Sequence, residues 1–228
     1  MSEGIMDRSE WLANIKSEID FWSRWMETGG LSWPDDFVYR TDPNSEAVGL
    51  FRKYLEMVSA YPPRVLDVGA GPLTILGKKI NGQSINLTAV DALAEFYDQL
   101  PFPAGSPIVR TEKCETECLS EKFPENYFDI THAQNTLDHH YNPIAAILEM
   151  IKVTKRSGFI ITSHAENEAT RENWSGLHQW NFFIENNDLI ISNKEKAFSV
   201  SSLINRDAEI VEIFLTEQRW VNCVIRKI

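Results

Sequence analysis

The hydrophobic positions change period part-way along the chain. Between Ser9 and Gly30 the residues Trp11, Ile15, Ile19, Trp22 and Met26 recur three or four apart, which predicts one helix with an apolar stripe, stopped by Gly29-Gly30. A Trp33-Pro34 turn follows. Asn44 or Ser45 is then placed to cap a second helix carrying Val48, Phe51, Leu55 and Val58. Tyr61-Pro62-Pro63 ends it, because proline disfavours helical backbone for the residue before it. Beyond Pro63 the period shortens. Arg64–Val68, Ile85–Val90, Pro107–Arg110, Tyr127–Ala133 and Gly158–Ser163 read as strands, with helices expected over Leu73–Lys79, Ala92–Gln99 and Pro143–Thr154. Strands that are apolar on both faces and alternate with helices imply a mostly parallel sheet covered on two sides. In the tail, Trp180–Glu185 and Leu189–Ser192 flank the polar turn Asn186-Asn187-Asp188 as a hairpin, and Ala208–Leu215 and Arg219–Lys227 alternate like antiparallel strands.

Charge and composition narrow the partners. The 228 residues carry 22 Lys+Arg against 33 Asp+Glu, a net charge of −11. No basic stripe is present of the kind that displaces counterions from nucleic acid or docks on an anionic membrane, so neither partner is expected. No apolar run approaches the ~20 residues that span a bilayer. Met1–Met6 lacks a basic-then-apolar leader pattern. Cys114, Cys118 and Cys223 have no zinc-type spacing and read as reduced thiols, which with the missing leader points to a cytoplasmic protein. Oligomeric state is not legible in this pattern.

The strongest chemical signal is Leu66-Asp67-Val68-Gly69-Ala70-Gly71, an apolar strand running into a glycine turn. Glycine tolerates positive φ and lets a ligand approach the backbone. Ligands of open α/β sheets bind at the carboxyl ends of the strands, where this turn would lie. Asp91 closes the next strand and can accept hydrogen bonds from both hydroxyls of a ribose. A dinucleotide fingerprint would want a third glycine where Thr74 stands, and Asp67 would repel a pyrophosphate; an acid there suits a cationic ligand. The plainer reading is that Gly69 and Gly71 only turn the chain.

At these residues the sequence resembles the class I S-adenosylmethionine-dependent methyltransferases, whose acid-x-Gly-x-Gly-x-Gly motif is matched by Asp67, Gly69 and Gly71, with Leu73 in place of the third glycine. The resemblance runs from Arg64 to Ser163. It implies an α/β Rossmann-like fold: a mostly parallel seven-stranded sheet with helices on both faces, antiparallel strands at the C-terminal end and an N-terminal helical lid. Residues 1–60 are then the lid, and residues 61–228 the cofactor-binding core with an inserted hairpin near 180–200. It further implies S-adenosyl-L-methionine as cofactor, held by Asp67, Gly69, Ala70, Gly71, Asp91, Ala92, Glu115, Thr116 and Gln134. Among these, Asp91 falls at the ribose and Glu115, ahead of Glu117, at the adenine amino group. Arg40 is placed to pair with the cofactor's carboxylate, or equally with Asp42 or another nearby acid.

All five histidines lie between His132 and His178. His132 reads as a core residue inside a strand. His139-His140 follows the fourth strand, with one ring expected inward and one outward, and His164 closes the fifth. Trp174, His178, Gln179, Trp180 and Asn181 combine aromatic faces with amides, which suits a small polar acceptor such as a sugar. Trp25 lies off the helical stripe and Trp33 after the helix, and both are expected to line a lid over the crevice. The expected catalytic residues are His139, His164, Glu166 and His178, with His139 or His164 as the base of an O-methyl transfer and Glu166 orienting a histidine or the acceptor. His164, Glu166 and His178 could together hold a divalent cation, but no metal is assigned. A protein that binds the cofactor without chemistry, or a methyltransferase acting on a basic protein, would carry the same cofactor motifs.

Overall fold

The computed structural model describes residues 8–105 and 109–228. The N-terminal stripe forms two helices, α1 (Arg8–Asn14) and α2 (Lys16–Thr28), interrupted at Ile15. Gly29 ends α2 in the left-handed conformation, its N–H donating back to the last turn. Pro34, read above as part of a turn, instead opens a helix, α3 (Pro34–Thr41), at the position where its missing N–H costs nothing. Next comes α4 (Gly49–Leu55), which starts later than the Asn44 or Ser45 cap implied.

The core begins at β1 (Arg64–Val68). The helix expected over Leu73–Lys79 does not form. Pro72 has no donor, Thr74 Oγ1 donates to Asp67 Oδ2 at 2.6 Å, and the Lys78 and Lys79 N–H groups both donate to Ser45 O at 2.8 and 3.1 Å. Gly77 lies so close to the backbone of Glu46 and Ala47 that any Cβ there would overlap it at 2.4 Å. The segment therefore satisfies its backbone against residues 45–47 and ends in a two-stranded ribbon, β2 (Lys79–Ile80) with β3 (Gln83–Ser84).

There follow β4 (Asn86–Asp91), the short α5 (Ala94–Tyr97) and β5 (Thr111–Lys113). Pro107 and Ile108 of the expected third strand lie outside the described residues, and β5 starts just past Arg110. The chain continues through α6 (Leu119–Lys122), β6 (Phe128–Gln134), α7 (Pro143–Val153), β7 (Thr154–Ala165) and α8 (Glu168–Arg171). Asn142 caps α7, its side chain accepting from Ala145 N at 3.0 Å. Then come β8 (Asn181–Glu185), β9 (Asp188–Ser192), β10 (Ala197–Ser199), α9 (Val200–Ile204), β11 (Ala208–Leu215) and β12 (Trp220–Lys227).

Seven strands form the main sheet in the order β11-β12-β7-β6-β1-β4-β5. Neighbours from β7 to β5 are parallel, and β12 runs antiparallel to both β7 and β11. On one face Ile147, Met150 and Ile151 of α7 pack with Leu66, Val68, Phe128 and Ile160. On the other, Phe51, Tyr54 and Leu55 of α4 pack with Val65, Ile130, Ile161 and Val224. The β8–β10 sheet contributes Phe182, Leu189 and Ile191 to the first face. The first two helices lie elsewhere: Trp11 clusters with Leu93, Tyr97 and Leu177, while Trp25 and Met26 cluster with Leu73, over the ends of β1 and β4. Trp25 is one of the most deeply buried side chains and Trp33 is 57% exposed, and both border the cavity described below. Among the described residues no helix is long and apolar enough to cross a membrane.

Candidate functional site

One cavity of about 960 Å³ opens over the carboxyl ends of β1, β4 and β6, at the upper end of the range usual for ligand sites. Its first half is the glycine turn. Gly69 and Gly71 have φ of +61° and +63°, and both are hemmed in: a Cβ on Gly69 would lie 1.9 Å from Thr136 Oγ1, and one on Gly71 2.6 Å from the Trp22 ring. The turn is held by Asp91, whose Oδ2 accepts from Gly71 N at 3.0 Å and whose Oδ1 accepts from Leu93 N at 2.8 Å. Burial nevertheless raises the Asp91 carboxyl above the ordinary range. Asp67 is fully buried and already paired, accepting from Thr74 and lying 2.9 Å from His132 Nδ1. His132 is accordingly a core residue that orients Asp67, as its position inside a strand suggested.

Of the expected cofactor residues, Asp67, Gly69, Ala70, Asp91, Ala92, Glu115, Thr116, Gln134 and Arg40 line the cavity. Gly71 sits behind them, facing Trp22. Two of these side chains are more engaged than the sequence implied. Glu115 is clamped by Arg8 of α1, whose Nε donates at 3.0 Å, and by the Tyr141 hydroxyl at 3.1 Å; the Arg8 guanidinium holds its carboxyl below the usual value. Arg40 donates to Asp36 at 2.8 Å, not to Asp42, and to Leu73 O at 2.8 Å, with its guanidinium near the rings of Trp22 and Trp25.

The other half of the cavity holds a polar cluster. Asp138 is fully buried; its Oδ2 lies 2.9 Å from His178 Nδ1 and 3.2 Å from His139 Nε2, and those two nitrogens are 3.0 Å apart. Glu18 of α2 reaches to 3.5 Å from His139 Nδ1. Facing acids push the His139 imidazole up to about 10, although burial opposes this, and the two histidines hold the Asp138 carboxyl well below the carboxylate range. Trp11 Nε1 donates to His139 O at 2.7 Å and Trp180 Nε1 to His140 O at 2.9 Å, which fixes this backbone between two indoles. Glu168 also lines this end; its Oε2 is buried without a hydrogen-bond partner, and burial raises its carboxyl. Trp11, Trp22, Tyr97 and Leu177 complete the apolar wall.

The structure brings His139 and His178 together but not the other two expected catalytic residues. His164 is 1% exposed, stacks on Phe182 at 4.3 Å between ring centroids and has neither nitrogen bonded. Burial lowers its imidazole to about 3. It does not reach the cavity, because the end of β7 turns its ring onto β8. Glu166 also lies outside, paired with Arg219, so the cation set His164–Glu166–His178 does not assemble. His139 and His140 both line the cavity, where one inward ring was expected; His140 is tied at 2.8 Å to Thr136 O and at 2.8 Å to Thr116 Oγ1. Sequence reasoning missed Asp138, Glu168 and Glu18. Asp138 adjoins His139 and carried a readable signal; the other two are brought in by separate helices.

The sheet order, with the glycine turn after β1 and Asp91 closing β4 at the mouth of the cavity, is that of an open α/β sheet with its pocket at the carboxyl ends of the strands. Residues 66–162 match the methyltransferase-domain family. An uncharacterized methyltransferase of Schizosaccharomyces pombe is 29% identical over 115 residues, which cover 45% of this chain. The match spans only 40% of that relative's length. Two solved structures share the fold. The 1,6-didemethyltoxoflavin-N1-methyltransferase of Burkholderia thailandensis, with bound 1,6-didemethyltoxoflavin and S-adenosylhomocysteine, superposes with a TM-score of 0.54 at 17% identity, covering 98% of this chain and 91% of that one. A SAM-dependent methyltransferase of Aquifex aeolicus gives 0.51 at 14% identity, covering 91% and 98%. The family match covers 97 of the 228 residues, and the two solved structures show that the chain shares the fold of S-adenosylmethionine-dependent methyltransferases.

Proposed function

We propose that the chain transfers the methyl group of S-adenosylmethionine to a hydroxyl of a small polar acceptor, a sugar or a metabolite of similar polarity. The observation that carries this reading is the continuity of one cavity from the glycine turn to the Asp138–His139–His178 cluster. The cofactor's ribose hydroxyls are read onto Asp91, its adenine beside Thr116 and Ala92, and its carboxylate toward Arg40. Helices α1 to α3 act as the cap over both ligands, part of the role expected of residues 1–60, while α4 packs on the sheet; Trp11, Trp22 and Leu177 exclude water from the ligands. The reduced cysteines are in keeping with action in the cytoplasm.

Methyl transfer from a sulfonium is an in-line displacement, and holding oxygen, methyl carbon and sulfur collinear is worth roughly 7–11 kcal/mol. The acceptor oxygen forms a C–O bond as the C–S bond breaks, and that electron pair leaves on sulfur as a neutral thioether. The hydroxyl proton must go to a base, and Glu168, with its unpaired buried oxygen at the acceptor end, is assigned that role. The test is methyl transfer to a panel of hydroxylated metabolites, with mass spectrometry of ligands released from the purified protein. Glu168→Gln is expected to lower kcat by about 10²–10⁴ with cofactor affinity unchanged. Turnover equal to that of the unmodified protein would remove Glu168 from this role.

A further inference from the structure

Asp138 Oδ2, His139 Nε2 and His178 Nδ1 form a triangle with sides of 2.9, 3.0 and 3.2 Å. Hydrogen bonds alone do not satisfy it. If both nitrogens donate to the shared oxygen, two N–H groups face each other across 3.0 Å; if one ring donates to the other, the carboxylate loses a partner. The same spacing suits a metal ion. Ligands about 2.1 Å from a cation and at right angles to one another are about 3.0 Å apart, so the three atoms match one face of an octahedron.

We propose that Asp138, His139 and His178 bind a divalent first-row transition-metal cation at the acceptor end of the cavity. Two imidazoles and one carboxylate are a donor set that selects manganese, iron, cobalt or zinc over calcium or magnesium. Independent features support the site. Asp138 is fully buried and its second oxygen, Oδ1, has no hydrogen-bond partner, which leaves it available to the ion. His139 turns its other nitrogen, Nδ1, toward Glu18 Oε2 at 3.5 Å, the placement of a carboxylate that orients a ligating imidazole from behind. The Trp11 indole holds the His139 backbone in place. Both histidines line the cavity, so the ion's remaining positions face the acceptor.

This inference rests on the reading of that end as the acceptor site and deepens it. The ion would take the acceptor's oxygen directly, favour its deprotonated form and fix its angle to the methyl group. Acceptors with two adjacent oxygens, able to occupy two of the open positions, are then the preferred class. Of the three residues that the sequence offered as possible cation ligands only His178 belongs to this site.

The test is calorimetric titration of the chelator-treated full chain with Mn²⁺ and with Zn²⁺, each alone, in the unmodified protein and in Asp138→Asn, His178→Ala and Glu166→Gln. One ion per chain is expected. Affinity should fall at least tenfold in Asp138→Asn and His178→Ala and stay unchanged in Glu166→Gln, whose side chain lies outside the cavity. S-adenosylhomocysteine titrated into the same samples shows that each variant is folded and reports the cofactor half separately. No ion bound at millimolar Mn²⁺ or Zn²⁺, or equal affinity in all four proteins, overturns the metal site while bound S-adenosylhomocysteine leaves the proposed function standing. Failure of S-adenosylhomocysteine to bind the unmodified protein overturns that function instead, and the ion titration still decides the site.

Discussion

Substituting Gly71 by alanine probes how the N-terminal helices meet the glycine turn. Gly71 holds φ of +63°, and an alanine Cβ there would lie 2.6, 2.9 and 3.0 Å from three atoms of the Trp22 indole. The left-handed backbone costs a residue with a Cβ roughly 1–2 kcal/mol. Overlap with a packed ring adds about 1–3 kcal/mol, because the indole is itself held by edge contacts with Phe21, Trp25 and Tyr97 and by its N–H on Glu18 at 2.8 Å. Gly71→Ala should therefore destabilise the fold by about 2–5 kcal/mol in urea unfolding. The two contributions separate in a double-mutant cycle. With Trp22→Leu in the background, the overlap part should vanish and the backbone part remain, giving a coupling of about 1–3 kcal/mol. Additivity within roughly 0.5 kcal/mol would show that Trp22 does not lie against the turn, and would refute the placement of α2 over the glycine turn.

The remaining expectations are briefer. Asp91→Ala removes the carboxylate assigned to the ribose and frees the Gly71 and Leu93 N–H groups; loss of a charged hydrogen-bonding partner worth about 1.5–3 kcal/mol should weaken S-adenosylhomocysteine by roughly 10- to 100-fold by calorimetry. His164 is held neutral by burial to about pH 3 but takes up a proton near 6.5 when unfolded, so stability should fall as pH drops below 6.5, by at most about 1.4 kcal/mol per pH unit. His164→Leu should flatten that limb of the urea midpoint against pH, and an unchanged limb would count against the burial of this ring. Lys78, pushed down to about 8 by burial, acts in the same sense at higher pH: its unfavourable charge is lost between about pH 8 and 10.5, so stability rises over that window. That rise should be missing in Lys78→Met.

Much of this architecture could be read from the chain because the central strands are apolar on both faces. Val65-Leu66 and Val68 of β1 and Ile160-Ile161 of β7 are buried against α4 on one side and α7 on the other, which leaves a pattern that no surface segment imitates. The errors fell where a local pattern fitted two structures. Leu73, Leu76 and Lys79 have helical spacing, yet Ser45 and the Thr74 side chain take the hydrogen bonds a helix would need. Pro34 marks a turn or a helix start equally well, and only the packing of Phe37 against Trp25 decides between them.

The site divides the same way. The half proposed to hold the cofactor is carried by one contiguous turn and the acid closing the next strand, both visible in sequence. The half proposed to hold the acceptor is assembled from Glu18, Asp138, His139, Glu168 and His178, residues up to 160 positions apart on α2, the β6–α7 connection, α8 and the loop before β8. Spacing could not join them. His164 and Glu166 were misplaced because the end of β7 lies near the cavity in topology, whereas the direction of each side chain there is set by β8 and by Arg219.

A crystal structure of the chain soaked with S-adenosylhomocysteine tests the whole account most directly. Both ribose hydroxyls should rest on the Asp91 carboxylate, with the sulfur facing the space in front of His139, His178 and Glu168. A cofactor seated elsewhere, or a sulfur turned away from those three residues, would contradict it.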